Sequence, residues 1–426
     1  MKIRKLEKGL IVLLGIGIMM PLSLSFSAHY IAIPESIFIL LLLFSIFWTR
    51  VRASRIKFSP PAVLLVILAF CFISLGLVSS LVALSNSNFG EVSLLHLLRW
   101  SIYALLVVIL SQYLRDQEFR ILFIGGMFVG VMATGVFLWI FWLLDKRYLL
   151  GIPILHLRDH ESLGITLNRN TFGLYLAMGF PLGVYLYSCA STTVGRLCIM
   201  GLICFLIIST VLTFSRGAWI SLALLLLIYI VYFLHTTLTR SKLIMSLTVI
   251  MVIVIGYIFS NIKDYLDVLS VWAQQIDDVT RVAFVTDSIR IIIEYPLFGV
   301  GPGNYLTAAV HLDLNPTKDP HNAFLWIGAD YGLFGLIIVS GIIFFPLFYI
   351  FYIKMFTNRY FDRCELYLTF SLGCYLSVRA LTTGVILSSE LIWTVIALTI
   401  SMASFRHHKK SAYEKTEAFN RSIWYD

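Results

Sequence analysis

Apolar residues in this chain come in long unbroken stretches, of which Ile121–Leu144 and Leu243–Ser260 are examples. Each is close to the roughly 20 residues that carry a helix across the hydrocarbon layer. Strands of a membrane barrel would instead alternate, in segments about half that long. Such stretches fall at 9–27, 30–48, 61–84, 96–113, 121–144, 171–190, 197–214, 217–236, 243–260, 332–354, 366–382 and 387–405. They predict an all-α polytopic membrane protein of about twelve transmembrane helices, with residues 1–426 forming a single polytopic domain.

Two connections are long, 145–170 and 261–331. The second, between spans 9 and 10, has about 70 residues, far beyond the usual helix–helix link, and long loops tend to be functional. It holds apolar helical stretches (Val268–Ala273, Ala283–Ile293) and Pro and Gly punctuation, so an ordered cap carrying the chemistry is expected there. Composition agrees with a membrane protein: 59% hydrophobic and 13% charged residues leave too little charge to cover a soluble body of this size.

The net charge of +9 changes the picture only through its placement. Nothing pools the basic residues into a nucleic-acid surface. With the N-terminus inside, about 21 of the 32 Lys and Arg fall in cytoplasmic segments, which puts both termini in the cytoplasm. Lys2, Arg4, Lys5 and Lys8 then precede a retained first span rather than a cleaved signal. The six cysteines form no CxxC pair and favour neither a disulfide framework nor a zinc site.

Span centres are almost free of ionisable groups. Glu35, Arg99, Arg379 and Glu390 are the exceptions, each near an outer end. Ion-coupled transporters keep charge at the midplane, so a transporter or flippase of lipid-linked oligosaccharide is the disfavoured alternative. A polar outer rim points to interfacial chemistry on a lipid-anchored substrate, although snorkelling to headgroups would place the same residues there.

Four motifs follow in order. N-R-N-T-F-G-L-Y opens span 6 at Asn168, and T-F-S-R-G-A-W surrounds Arg216. From Arg281 an apolar helix leads into a turn set by Pro296, Gly299, Gly301, Pro302 and Gly303, reading P-L-F-G-V-G-P-G-N-Y. Last, P-H-N-A-F-L-W-I-G-A-D-Y-G-L-F-G puts His321 and Asn322 at the start of a helix leading into span 10, with Gly332 and Gly335 downstream. Together these pieces resemble the O-antigen ligase and Wzy-type polymerase superfamily, over roughly residues 160–405.

The resemblance implies an inverting glycosyltransferase on the periplasmic face of the bacterial inner membrane. Its donor would be a glycan on undecaprenyl pyrophosphate, and it would need no metal, nucleotide or other cofactor. The acceptor would be a lipid A-core sugar for a ligase, or another lipid-linked repeat unit for a polymerase; the ligase reading is preferred. Arg216 and Arg281 match the family's phosphate-binding arginines, and planar guanidinium forks suit a pyrophosphate's spread charge. His321 matches its catalytic histidine, whose imidazole can accept a proton near neutral pH or orient the acceptor. Asn322 would hold a sugar hydroxyl or cap its helix. Asn168 and Arg290 are further substrate-binding candidates, Arg290 the weaker, since nine residues turn it about 180° from Arg281. No paired-carboxylate signature of a glycosidase is present.

Overall fold

The computed structural model describes residues 2–19, 60–85, 91–144, 148–149, 152–153, 169–213, 215–236, 278–314, 320, 322–356, 363–382 and 391–402. Helices α1 (Lys2–Met19), α2 (Pro60–Ser85), α3 (Glu91–Tyr113) and α4 (Gln117–Leu144) come first. A two-residue antiparallel ladder, β1 (Tyr148–Leu149) and β2 (Ile152–Pro153), follows. Next come α5 (Arg169–Cys189), α6 (Thr193–Leu212) and α7 (Arg216–Thr236). The chain then forms α8 (Asp278–Glu294), α9 (Tyr305–His311), α10 (Ala323–Phe356), α11 (Arg363–Thr382) and α12 (Leu391–Met402).

Apart from that ladder, the described chain is helical. Four stretches, Gln117–Ile140, Phe172–Cys189, Thr193–Leu212 and Ala323–Tyr352, are long and apolar enough to cross a membrane. The expected spans at 30–48 and 243–260 lie outside the described residues, as does the Val268–Ala273 stretch.

Span packing uses small residues where backbones must touch, as expected where lipid supplies little drive for helix association. A Cβ on Gly130 would stand 2.6 Å from the Ile16 carbonyl oxygen, and one on Gly15 would be 2.5 Å from that of Phe123. Helix α1 is thereby pressed along α4. Polar residues inside the apolar helices satisfy themselves locally: Thr210 Oγ1 donates to Leu206 O at 2.7 Å and Thr399 Oγ1 to Val395 O at 2.8 Å. Each hydroxyl therefore leaves no unmade bond in a medium without water.

Arg120, counted among loop charges by its sequence position, is fully buried. Its Nη2 lies 2.5 Å from Glu365 Oε1 and its Nη1 donates to Leu114 O at 2.9 Å, so it pins α4 to α11.

Helix α10 contains a break. Gly332 sits at φ 65, ψ −162, which no helix accommodates, so the axis changes direction there. The expected span 332–354 corresponds to the part beyond the break. The preceding turns, Ala323–Tyr331, form a separate short segment leading into it.

Candidate active site

Two junctions carry the motif residues. The first is the turn between α6 and α7. Thr213 closes α6, its backbone N–H reaching Thr210 O and Val211 O and its Oγ1 donating to Thr210 O at 2.7 Å. Ser215 then starts α7: its Oγ accepts a long 3.4 Å bond from Ala218 N, and its carbonyl accepts from Trp219 N at 3.0 Å. Trp219 Nε1 reaches back to Val211 O at 3.1 Å. Arg216 is therefore the first residue of α7, where unpaired N–H groups and the helix dipole favour an anion.

This turn is wedged from both sides. A Cβ on Gly173 of α5 would fall 2.6 Å from both Thr213 Oγ1 and Ala218 Cβ. On the other side, a Cβ on Gly217 would lie 3.3 Å from Thr382 of α11. Less than a turn before Thr382 is Arg379, buried, with its guanidinium 5.2 Å from the Tyr175 ring centroid and donating to Tyr375 Oη at 3.3 Å. Tyr375 Oη in turn donates to Leu174 O at 2.8 Å. Arg379, which hydropathy marks only as a charge near a span end, thus ties α11 to α5 beside the Arg216 turn.

The second junction joins the loop after α8 to the break in α10. Gly299, Gly301 and Gly303 all have positive φ, as a turn of this tightness requires. Val300 N donates to Ala329 O at 3.0 Å, Gly301 N to Asp330 O at 2.9 Å, and Leu333 N to Pro296 O at 2.8 Å. The first two bonds occupy α10 carbonyls and the third an α10 N–H that the break removes from the helical ladder. Backbone meets backbone here: a Cβ on Gly332 would be 2.5 Å from Leu297 O, and one on Gly299 2.5 Å from Asp330 O. The glycine eleven residues after His321 is therefore a packing and φ requirement.

Asp330 completes the junction. Its buried carboxylate accepts from Gly303 N at 2.7 Å, and Ser79 of α2 donates to Phe298 O at 2.6 Å and to Asp330 O at 3.1 Å. The sequence reading singled out neither residue. The available signal was that Asp330 is the lone acid within an otherwise apolar motif. A small core of Ile291, Val300, Tyr305, Ala308, Trp326 and Ala329 binds α8, α9 and the first part of α10 together.

Register along this pair sets the geometry. A Cβ on Gly328 would meet Ile292 Cδ1 at 2.8 Å, and one on Gly332 would meet the backbone of Leu297, three residues past the end of α8. The last turn of α8 therefore packs along the first part of α10, while Arg281 lies in the first turns of α8.

Asn322 caps α10: its Oδ1 accepts from Phe324 N at 2.9 Å and Leu325 N at 3.2 Å, while its carbonyl accepts from Trp326 N. Of the two readings left open for this residue, the cap is the one its hydrogen bonds display. Arg290 is exposed on α8. His321 and Asn168 lie outside the described residues, and for Arg216 and Arg281 only the helical positions are described. Among the described residues, no group of three or more His, Cys, Asp or Glu is placed to hold a metal.

Residues 200–340 match the family model described as O-antigen ligase, which supports the resemblance to the O-antigen ligase and Wzy-type superfamily. The superfamily consists of glycosyltransferase-like membrane enzymes, ligases and polymerases. The matched region contains both junctions. No curated protein matches the chain.

Proposed function

We propose that the protein is an inverting glycosyltransferase of the O-antigen ligase type. It would move a glycan from undecaprenyl pyrophosphate to a lipid A-core hydroxyl at the periplasmic face of the bacterial inner membrane, with both termini in the cytoplasm. The observation that carries this reading is the family match itself, which spans the Arg216 turn, α8 and the start of α10.

In this reading Arg216 and Arg281 hold the donor's pyrophosphate, helped by the N–H groups of α7's first turn. The acceptor oxygen attacks the anomeric carbon from the face opposite the leaving group, and the carbon–oxygen bond to the pyrophosphate breaks with inversion. His321 takes the acceptor's proton as the new bond forms. The departing pyrophosphate carries the electron pair, and its charge rests on the two guanidinium groups. No metal or nucleotide is required. Asn168 and the amide N–H groups of Asn322 are available to orient sugar hydroxyls.

A strain lacking the protein, complemented with wild type or with His321→Ala, tests this on a glycan gel. The deletion is expected to leave bare lipid A-core while long polymer accumulates on undecaprenyl pyrophosphate. Wild type restores the ladder and His321→Ala at equal expression does not. Lipid A-core bearing a single repeat would instead make the protein a polymerase that joins lipid-linked units. A normal ladder from His321→Ala would remove the base assignment.

A further inference from the structure

Helix α8 has two faces, only one of which the fold covers. Phe284, Ser288 and Ile291 are buried against α9 and α10. On the opposite side, Val285 (43% exposed), Ile289 (45%) and Ile293 (71%) project outward, and Leu297 (53%) extends the line beyond the helix end. At about 100° per residue, Val285, Ile289 and Ile293 fall within an arc of about 80°. Three large aliphatic side chains this exposed would be costly in water.

The stripe does not end at the loop. Leu297 packs its backbone on Gly332, and Phe298 meets Phe334 with ring centroids 5.8 Å apart. Immediately beyond, Leu333 (51% exposed) and Ile337 (60%) lie just past the break, inside the apolar Ala323–Tyr352 stretch of α10. The exposed aliphatic face of α8 therefore runs on toward the exposed apolar face of α10, within a stretch long and apolar enough to cross a membrane. Because α10 kinks at Gly332, the end of α8 packs against the segment of α10 that precedes the kink. Arg290, exposed, lies about 60° from Ile293 on the helical wheel, at the stripe's edge. A cation flanking an aliphatic stripe is the arrangement of a helix lying in a bilayer interface.

We infer that α8 is an interfacial helix: its Val285–Ile289–Ile293 face lies in the acyl boundary of one leaflet, and Arg290 binds phospholipid phosphate there. This assigns Arg290 a lipid partner rather than the reacting substrate. It also places α8 at headgroup depth instead of out in solvent. The inference rests on the membrane-crossing helices and does not depend on the transferase reading.

The test uses the full chain in nanodiscs of phosphatidylethanolamine and phosphatidylglycerol, with p-benzoylphenylalanine placed singly at Ile289, Ile293, Glu294 or Ile337. Lipid adducts after irradiation are counted by mass spectrometry. Ile289 and Ile293 are expected to give adducts within about twofold of the Ile337 position, and the exposed Glu294 position at least about fivefold fewer. Adding Arg290→Ala should lower the Ile293 yield by about threefold while leaving Ile337 unchanged. Yields at Ile289 and Ile293 no higher than at Glu294 would overturn the interfacial placement. An unchanged Ile293 yield in Arg290→Ala would overturn the phosphate role. Correct folding of each variant is read from the Ile337 adduct in the same background, and enzymatic activity is not needed for any arm.

Discussion

The two junctions that carry the motif residues are built in opposite ways. The Arg216 turn closes on itself within a few residues, through Thr213, Ser215 and Trp219, and is then wedged between α5 and α11. The glycine loop after α8 has little structure of its own. It is held by a buried carboxylate 27 residues later and by backbone groups released where α10 breaks. One junction is placed by side-chain packing of spanning helices, the other by backbone contact at one unusual residue. Glycines therefore do different work in the two: at the turn a neighbouring side chain limits the space, whereas at the break the backbone itself does.

Gly332→Ala attacks the second kind of contact directly. Its Cβ would be forced to within 2.5 Å of a carbonyl that cannot swing away, at a φ of 65 that side chains disfavour. A loss of about 3 kcal/mol or more is expected, with the glycan ladder abolished. Thermal unfolding in detergent reads the first effect. An unchanged midpoint would show that the loop does not depend on this contact.

Asp330→Ala comes next. It leaves the half-buried Gly303 N–H without its carboxylate acceptor, at a cost of about 1.5–3 kcal/mol, because hydrogen bonds to charged groups are the stronger kind. Asp330→Asn keeps an acceptor oxygen and should recover part of the loss. Equal losses for the two variants would mean that the charge, and not the Gly303 bond, holds the loop.

Hydropathy made much of this architecture legible. Described helices occupy the positions of most expected spans, and the start at 332 coincides with the break inside α10. Three glycines read as a turn indeed have positive φ. Helix α10 reaches back to Ala323 because Asn322 caps it, which the motif around His321 and Asn322 anticipates although a hydropathy window averages it away. Asp330 and Ser79 went unnoticed because their partners are backbone groups far along the chain. The Arg120–Glu365 pair was missed for a related reason: the two residues are separated by 245 positions, and Arg120 reads as an ordinary loop cation. Periodicity reports which face is apolar, and it carries no information on which distant polar atoms meet.

Asn322→Ala removes the acceptor for two orphan N–H groups at the start of α10, and about 1 kcal/mol should be lost. Asn322→Asp restores the cap without the amide N–H groups. If Asn322→Asp regains thermal stability but not the glycan ladder, Asn322 serves the substrate as well as the helix. If it regains both, capping is the whole of its role.

Gly217→Ala is the smallest perturbation and the sharpest contrast with Gly332→Ala. Alanine in the first turn of α7 is favoured over glycine by about 0.5–1 kcal/mol. Against this, the new methyl would lie 3.3 Å from both Cβ and Oγ1 of Thr382, tight but against a side chain that can give. The two effects nearly cancel, so a net change within about 0.5 kcal/mol is expected. Repeating the substitution in Thr382→Ala separates them. With the neighbour cut back, Gly217→Ala should become stabilising by about 0.5–1 kcal/mol, read as a higher unfolding midpoint than Thr382→Ala alone. A strongly destabilising Gly217→Ala that Thr382→Ala does not relieve would mean that backbone limits this junction too, and the distinction between the two would fail.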